Sequence, residues 1–135
     1  MKDITVKEAA SDMHQKLVKA LIDQFEKDGL KVENAAYEGY PEPYKIGKHE
    51  PDIIARSPQD IVSIGEAKTC DDLTSDRSKE QFVDFSKQSM NGGKSNGATV
   101  PFHIITSKTC NADLHAVLKN LRLEGKANIN IWTFE

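Results

Sequence analysis

Two carboxylates and a lysine stand out in this chain. Asp52 follows Pro51, and after thirteen intervening residues Glu66 and Lys68 flank Ala67. Side chains alternate along a strand, so Glu66 and Lys68 project to one side and Ala67 to the other. If the Asp52 segment forms a neighbouring strand, all three charges converge on one spot. Two carboxylates on strands suit a hard divalent cation that takes oxygen ligands. With a lysine beside it, such a cation suits attack on a phosphodiester. A plainer explanation makes Asp52 a turn residue and Glu66–Lys68 a surface ion pair, which stabilises little. The run Ile61-Val62-Ser63-Ile64-Gly65 favours the site, because it is apolar or small on both faces, as in a central strand covered twice. Charges at the end of such a strand lie at the sheet edge, where α/β proteins bind ligands.

The elements that position these residues follow from pattern. Ala10, Met13, Leu17, Leu21 and Phe25 recur at three- and four-residue steps and draw an amphipathic helix over about 7–28. Thr5 with Glu8 forms a capping-box pattern at its start, and Gly29 follows its end. Leu30–Asn34 alternates as a short strand. Residues 39–47, with two prolines and two glycines, read as a loop. Asp52–Arg56 and Ile61–Lys68 form a hairpin across Ser57-Pro58-Gln59-Asp60. A helix is expected from Thr74 or Ser75 to about Met90, then a polar break at 91–97. A buried strand follows over Val100–Thr106, and a helix capped by Thr109 or Asn111 runs to about Glu124, where Gly125 ends it. Asn128–Phe134 alternates as the last strand. The order is αβββαβαβ. Its strand–helix–strand unit requires a parallel pair and a right-handed crossover. The expected fold is α/β, a mixed central sheet with helices on both faces.

Composition fits one such domain spanning residues 1–135. The chain is 38% hydrophobic and 29% charged, ordinary values for a globular protein. No apolar run approaches the roughly 20 residues needed to span a bilayer, and the acidic, h-region-free start is not a signal peptide. Two cysteines, Cys70 and Cys110, are too few for a secreted disulfide scaffold. They are read as structural free thiols in a reducing cytoplasm. A net charge of −3 argues against sequence-blind affinity for nucleic acid, but leaves room for a locally basic face.

Pro51-Asp52, the hairpin spacing and Glu66-Ala67-Lys68 resemble the signature of the PD-(D/E)XK nuclease superfamily. Its core is αβββαβ, and it includes type II restriction enzymes, archaeal Holliday junction resolvases and many repair nucleases. The resemblance covers the chain from the first helix to at least Thr106. It implies a restriction endonuclease-like fold and Mg²⁺-dependent hydrolysis of DNA, with Mn²⁺ as a possible substitute. Asp52, Glu66 and the backbone carbonyl of Ala67 would hold the metal, and Lys68 would hold and polarise the attacking water. Related nucleases often carry a glutamate on the first helix. Here that place falls on His14 or Gln15, with Glu8 or Asp12 as substitutes if the helix is shifted. Gln81 and Phe85 are similar to a Gln-x-x-x-Tyr motif of exonuclease-like branches. The tyrosine is replaced, so only Gln81 carries over.

Among the remaining candidates, Lys79, Lys87, Lys94 and Lys108 are potential phosphate contacts, though solvated faces carry such lysines routinely. His49 adjoins Pro51-Asp52 and could touch substrate. Phe82 and Phe85 read as core, and no His/Cys spacing suggests zinc. A single compact domain is expected to work as a homodimer or within a larger complex. The alternative is a nuclease-fold module that binds nucleic acid or a protein partner without cutting.

Overall fold

A computed structural model describes the backbone of residues 6–135 and the side chains from residue 12 onward. The capping box at Thr5 and Glu8 and the Ala10 end of the stripe lie outside the described side chains. The rest of the stripe makes α1, Val6–Lys27, and fully buries Leu17, Val18, Leu21, Ile22 and Phe25. Gly29, at φ +86°, ends it, and the Leu30 N–H caps the Phe25 carbonyl.

Five strands form one mixed sheet in the order in which they occur along the chain. β1 (Lys31–Ala35), β2 (Ile53–Arg56) and β3 (Val62–Lys68) are antiparallel neighbours. α2 (Asp76–Ser86) then leads to β4 (Phe102–Ser107), which pairs parallel with β3. A short 3₁₀ turn and α3 (Asn111–Asn120) lead to β5 (Ile129–Phe134), parallel to β4. The expected αβββαβαβ order and mixed sheet are therefore present. α1 covers one face, packing on Ile53, Ala55, Ala67 and Ile105. α2 and α3 cover the other, where Phe82, Phe85, Leu114 and Leu118 meet Ile64, Phe102 and Ile104. Gly65 sets how closely α1 approaches β3: a β-carbon there would lie 2.9 Å from Leu21 and 3.1 Å from Ile53.

Four expectations need correction. α2 stops at Ser86 rather than near Met90, because the chain turns into a bridge between Ser89 and Thr99, with the Met90 N–H on the Ala98 carbonyl. α3 stops at Asn120 rather than Glu124, since Arg122 takes a left-handed φ of 61° and the Leu123 N–H turns back to the Leu118 carbonyl. Its N-cap is Cys110, not Thr109 or Asn111. The cysteines are not free. Parallel pairing of β3 and β4 brings the segments after them together, and Cys70 and Cys110 form a disulfide with 5.6 Å between α-carbons. That pairing removes the argument from free thiols for a reducing compartment. Among the described residues, no helix is long and apolar enough to cross a membrane.

Candidate metal and phosphate site

The hairpin register carries the site. Ile53 pairs with Gly65, so the chain entering β2 places Asp52 opposite Glu66. The Asp52 N–H donates to the Gly65 carbonyl at 3.0 Å and to Glu66 Oε1 at 3.1 Å. In return the Ala67 N–H donates to Asp52 Oδ2 at 2.8 Å. Backbone groups thus lock the two carboxylates together at the end of β3, and Asp52 Oδ1 is the oxygen left to a ligand.

Alternation along β3 does the rest. Ala67 joins the core beneath α1, while Glu66 and Lys68 turn toward α2 with only 3% and 4% of their surfaces exposed. Lys68 Nζ lies 3.1 Å from Glu66 Oε2 and 3.3 Å from Asp72 Oδ2, and donates a short hydrogen bond to Gln81 Oε1. Three acceptors match the three N–H donors of an ammonium. Gln81 is therefore at the site, on the buried side of α2. The Lys68 carbonyl accepts from Thr106 on β4 at 2.7 Å, and that hydroxyl also contacts the Cys110 sulfur at 3.0 Å. The disulfide is thus two contacts from the lysine backbone.

Of the first-helix candidates, His14 reaches the site: its Nε2 is 3.2 Å from Asp52 Oδ2. Gln15 does not. One position further around α1, its amide donates to the Ala36 carbonyl at 3.0 Å and supports β1 instead. Asp12 lies with Gln15 along a different cleft, and Glu8 is outside the described side chains. Sequence reasoning missed Glu50, Asp72 and Arg77, which line the same pocket of about 210 Å³ as Asp52, Glu66 and Lys68. One of them had a signal: Arg77 precedes Gln81 by four residues, the spacing of one helix face.

The pocket is electrostatically uncompensated. Burial, then the adjacent Asp52 charge, pushes the Glu66 carboxyl up to about 8, and Lys68 only partly opposes them. His14 is raised above its usual value by its hydrogen bond to Asp52, against a burial effect of the opposite sign. A buried glutamate beside a half-buried aspartate, only partly offset by one lysine, has the donor chemistry of a hard cation site. Among the described residues, however, no three His, Cys, Asp or Glu side chains form a ready-made metal shell.

The other sequence candidates separate. Lys79 and Lys87 line a cleft on the outer side of α2, together with His49. His49 Nδ1 lies 2.9 Å from Asp84 Oδ2, so it faces away from Asp52. Lys108 pairs with Glu135 at 3.5 Å. The chain matches no protein-family model, no curated protein and no solved structure.

Proposed function

We propose that this protein is a metal-dependent nuclease that hydrolyses DNA phosphodiester bonds, with a restriction endonuclease-like core. The observation that carries the reading is the convergence of Asp52, Glu66 and Lys68 at the rim of the sheet, with Glu66 buried beyond what its neighbours compensate. The element order, an antiparallel hairpin followed by a parallel crossover strand, supports the same reading.

Asp52, Glu66 and the Ala67 carbonyl would hold Mg²⁺ or Mn²⁺, and His14 would orient Asp52 from α1. When bound, the cation lowers the pKa of a water and offsets charge on the transition state. The protein's own part lies with Lys68. All its donors are engaged by Glu66, Asp72 and Gln81. With Glu66 holding a cation, one Lys68 N–H would be free to orient the attacking water or to bind the scissile phosphate. Arg77, exposed at the pocket rim, supplies a second cation for that phosphate. A single such site addresses one strand, so cutting of both strands calls for a second copy of the chain.

The lack of a three-residue shell among the described residues favours one alternative, a non-cutting module that binds nucleic acid or a protein partner. Incubation with supercoiled, linear and branched DNA, in Mg²⁺ or Mn²⁺ and in chelator, separates the two. Metal-dependent cutting that Lys68→Ala abolishes while binding persists is the expected result. Cutting unchanged in that variant removes Lys68 from the mechanism, and no cutting under any condition leaves the binding module.

A further inference from the structure

A second concavity runs beside the carboxylate pocket. This cleft of about 490 Å³ lies between α2 and the Lys48–His49 turn, with Lys48, Lys79, Val83 and Lys87 among its walls. Both concavities draw residues from α2 and the 48–52 loop, with no lining residue in common. On α2, Arg77 and Gln81 line the pocket, whereas Lys79, Val83 and Lys87, each four residues from the last, line the cleft. In the loop, Lys48 and His49 line the cleft, and Glu50 and Asp52 line the pocket. His49 and Glu50 are consecutive, so the cleft and the pocket adjoin along this loop.

The loop wall is built rather than loosely draped. Asp84, 5% exposed, accepts the Lys48 N–H at 2.8 Å and the Gln88 amide at 3.1 Å, and pairs with His49 Nδ1 at 2.9 Å. Gly47, at φ +71°, lets the backbone come this close: a β-carbon would lie 2.5 Å from Asp84. Three ammonium groups then face the cleft against Glu80, since Asp84 is engaged by His49 and the loop. In a chain of net charge −3, this is a local reversal of sign. The exposed Val83, Leu121 and the lysine stems offer an apolar floor between the charges.

We propose that this cleft holds the sugar–phosphate backbone of the nucleic-acid strand beyond the phosphate that enters the carboxylate pocket. Lys48, Lys79 and Lys87 contact phosphates as point charges, and the Val83–Leu121 surface packs against the sugars. Contacts of this kind read charge and spacing, not base sequence. The inference rests on the nuclease reading and adds the path of the strand.

The test is oligonucleotide binding to the full chain, read by fluorescence anisotropy across a salt series in chelator, so that nothing is cut. Lys79→Gln/Lys87→Gln is expected to weaken binding and to lower the slope of log affinity against log salt by about two, one per lost phosphate contact. Lys31→Gln, an exposed lysine on the edge strand β1, paired with Arg56 at the end of the hairpin far from Asp52, is the control and should leave the slope unchanged. An unaltered slope in the double variant, or an equal drop in the control, overturns the cleft as the strand path. So does a cleft-dependent slope for polyglutamate with no oligonucleotide binding, which identifies an acidic protein partner instead. Failure of the nuclease reading looks different: oligonucleotide binding keeps its cleft-dependent slope, but the wild type cuts nothing in Mg²⁺.

Discussion

Glu66 and Asp84 are carboxylates of similar burial, 3% and 5% exposed, and both face the α2 side of the molecule. Their surroundings push them in opposite directions. Around Asp84, burial works toward the neutral acid, but hydrogen bonds from His49 and the Lys48 N–H hold it below the ordinary aspartate value. Around Glu66, burial and the Asp52 charge outweigh Lys68, and the carboxyl rises to about 8. Asp84 has a complete set of partners and needs nothing further. Glu66, paired with Lys68 at 3.1 Å, is only partly compensated. The comparison distinguishes a carboxylate that holds a loop in place from one whose charge its neighbours leave partly uncompensated.

The largest expected effect lies on the Glu66 side. Lys68→Ala should reduce metal-dependent cutting at least about 100-fold, the scale of losing a group that handles the proton of the nucleophile. Product formation on supercoiled DNA measures it, and a loss below tenfold would place Lys68 outside the chemistry. The next effect belongs to neither carboxylate. Reducing Cys70–Cys110 opens a link across 40 residues of sequence and should cost about 4 kcal/mol on the chain-entropy estimate. Thermal melts with and without a dithiol reductant report it. Because Cys110 touches Thr106, which holds the Lys68 carbonyl, cutting should fall on reduction as well.

Neutralising each carboxylate sharpens the contrast. Asp84→Asn should destabilise the protein by about 1–3 kcal/mol, since it weakens charge-assisted bonds that tie the 47–50 loop to a buried carboxylate. Glu66→Gln should leave the metal-free protein as stable as before or more so, and should abolish any rise in Tm on adding Mg²⁺. In the wild type that rise corresponds to about 2.7 kcal/mol when free metal is a hundred times Kd. Equal losses from the two variants, in urea titrations with chelator, would erase the distinction drawn here.

The subtlest test is pH. A group raised in the folded state adds stability that is full below its unfolded value and lost as pH climbs through its folded one. For Glu66 that window runs from 4.5 to about 8. Asp84, lowered on folding, adds stability that is present above 3.8 and lost as pH falls through its depressed folded value. In chelator, the alkaline loss should flatten in Glu66→Gln and the acid loss in Asp84→Asn. Unfolding midpoints from pH 3 to 9 are the measurement.

How far the residues could be read in advance differs between these regions. The Glu66 cluster was partly readable: period-two alternation puts Glu66 and Lys68 on one side, and the short Ser57–Asp60 turn fixes the hairpin that brings Asp52 across, but Glu50, Asp72 and Arg77 were missed. Gln81 followed from its motif, and His14 remained one of four first-helix candidates, with Gln15, Glu8 and Asp12, because a helix phase read from apolar positions is uncertain. The Asp84 site was not readable. It joins residues 35 and 36 apart in sequence, and nothing local marks an aspartate that meets a distant loop. Helix ends failed for a related reason. Gly125 was an available stop for α3, but the chain left helical geometry earlier, at Arg122, where a turn back to Leu118 closes the helix.

Local pattern alone settled the kinds of element, their order, and which side of β3 each residue takes, because backbone periodicity converts spacing directly into direction. Long-range packing settled the rest: that Gln15 serves β1 while His14 serves Asp52, that two cysteines expected to be free are joined, and that three lysines gather along one cleft. Those outcomes depend on which distant segments become neighbours. That is fixed by burying the two apolar faces of the sheet together, and no short stretch of residues encodes it.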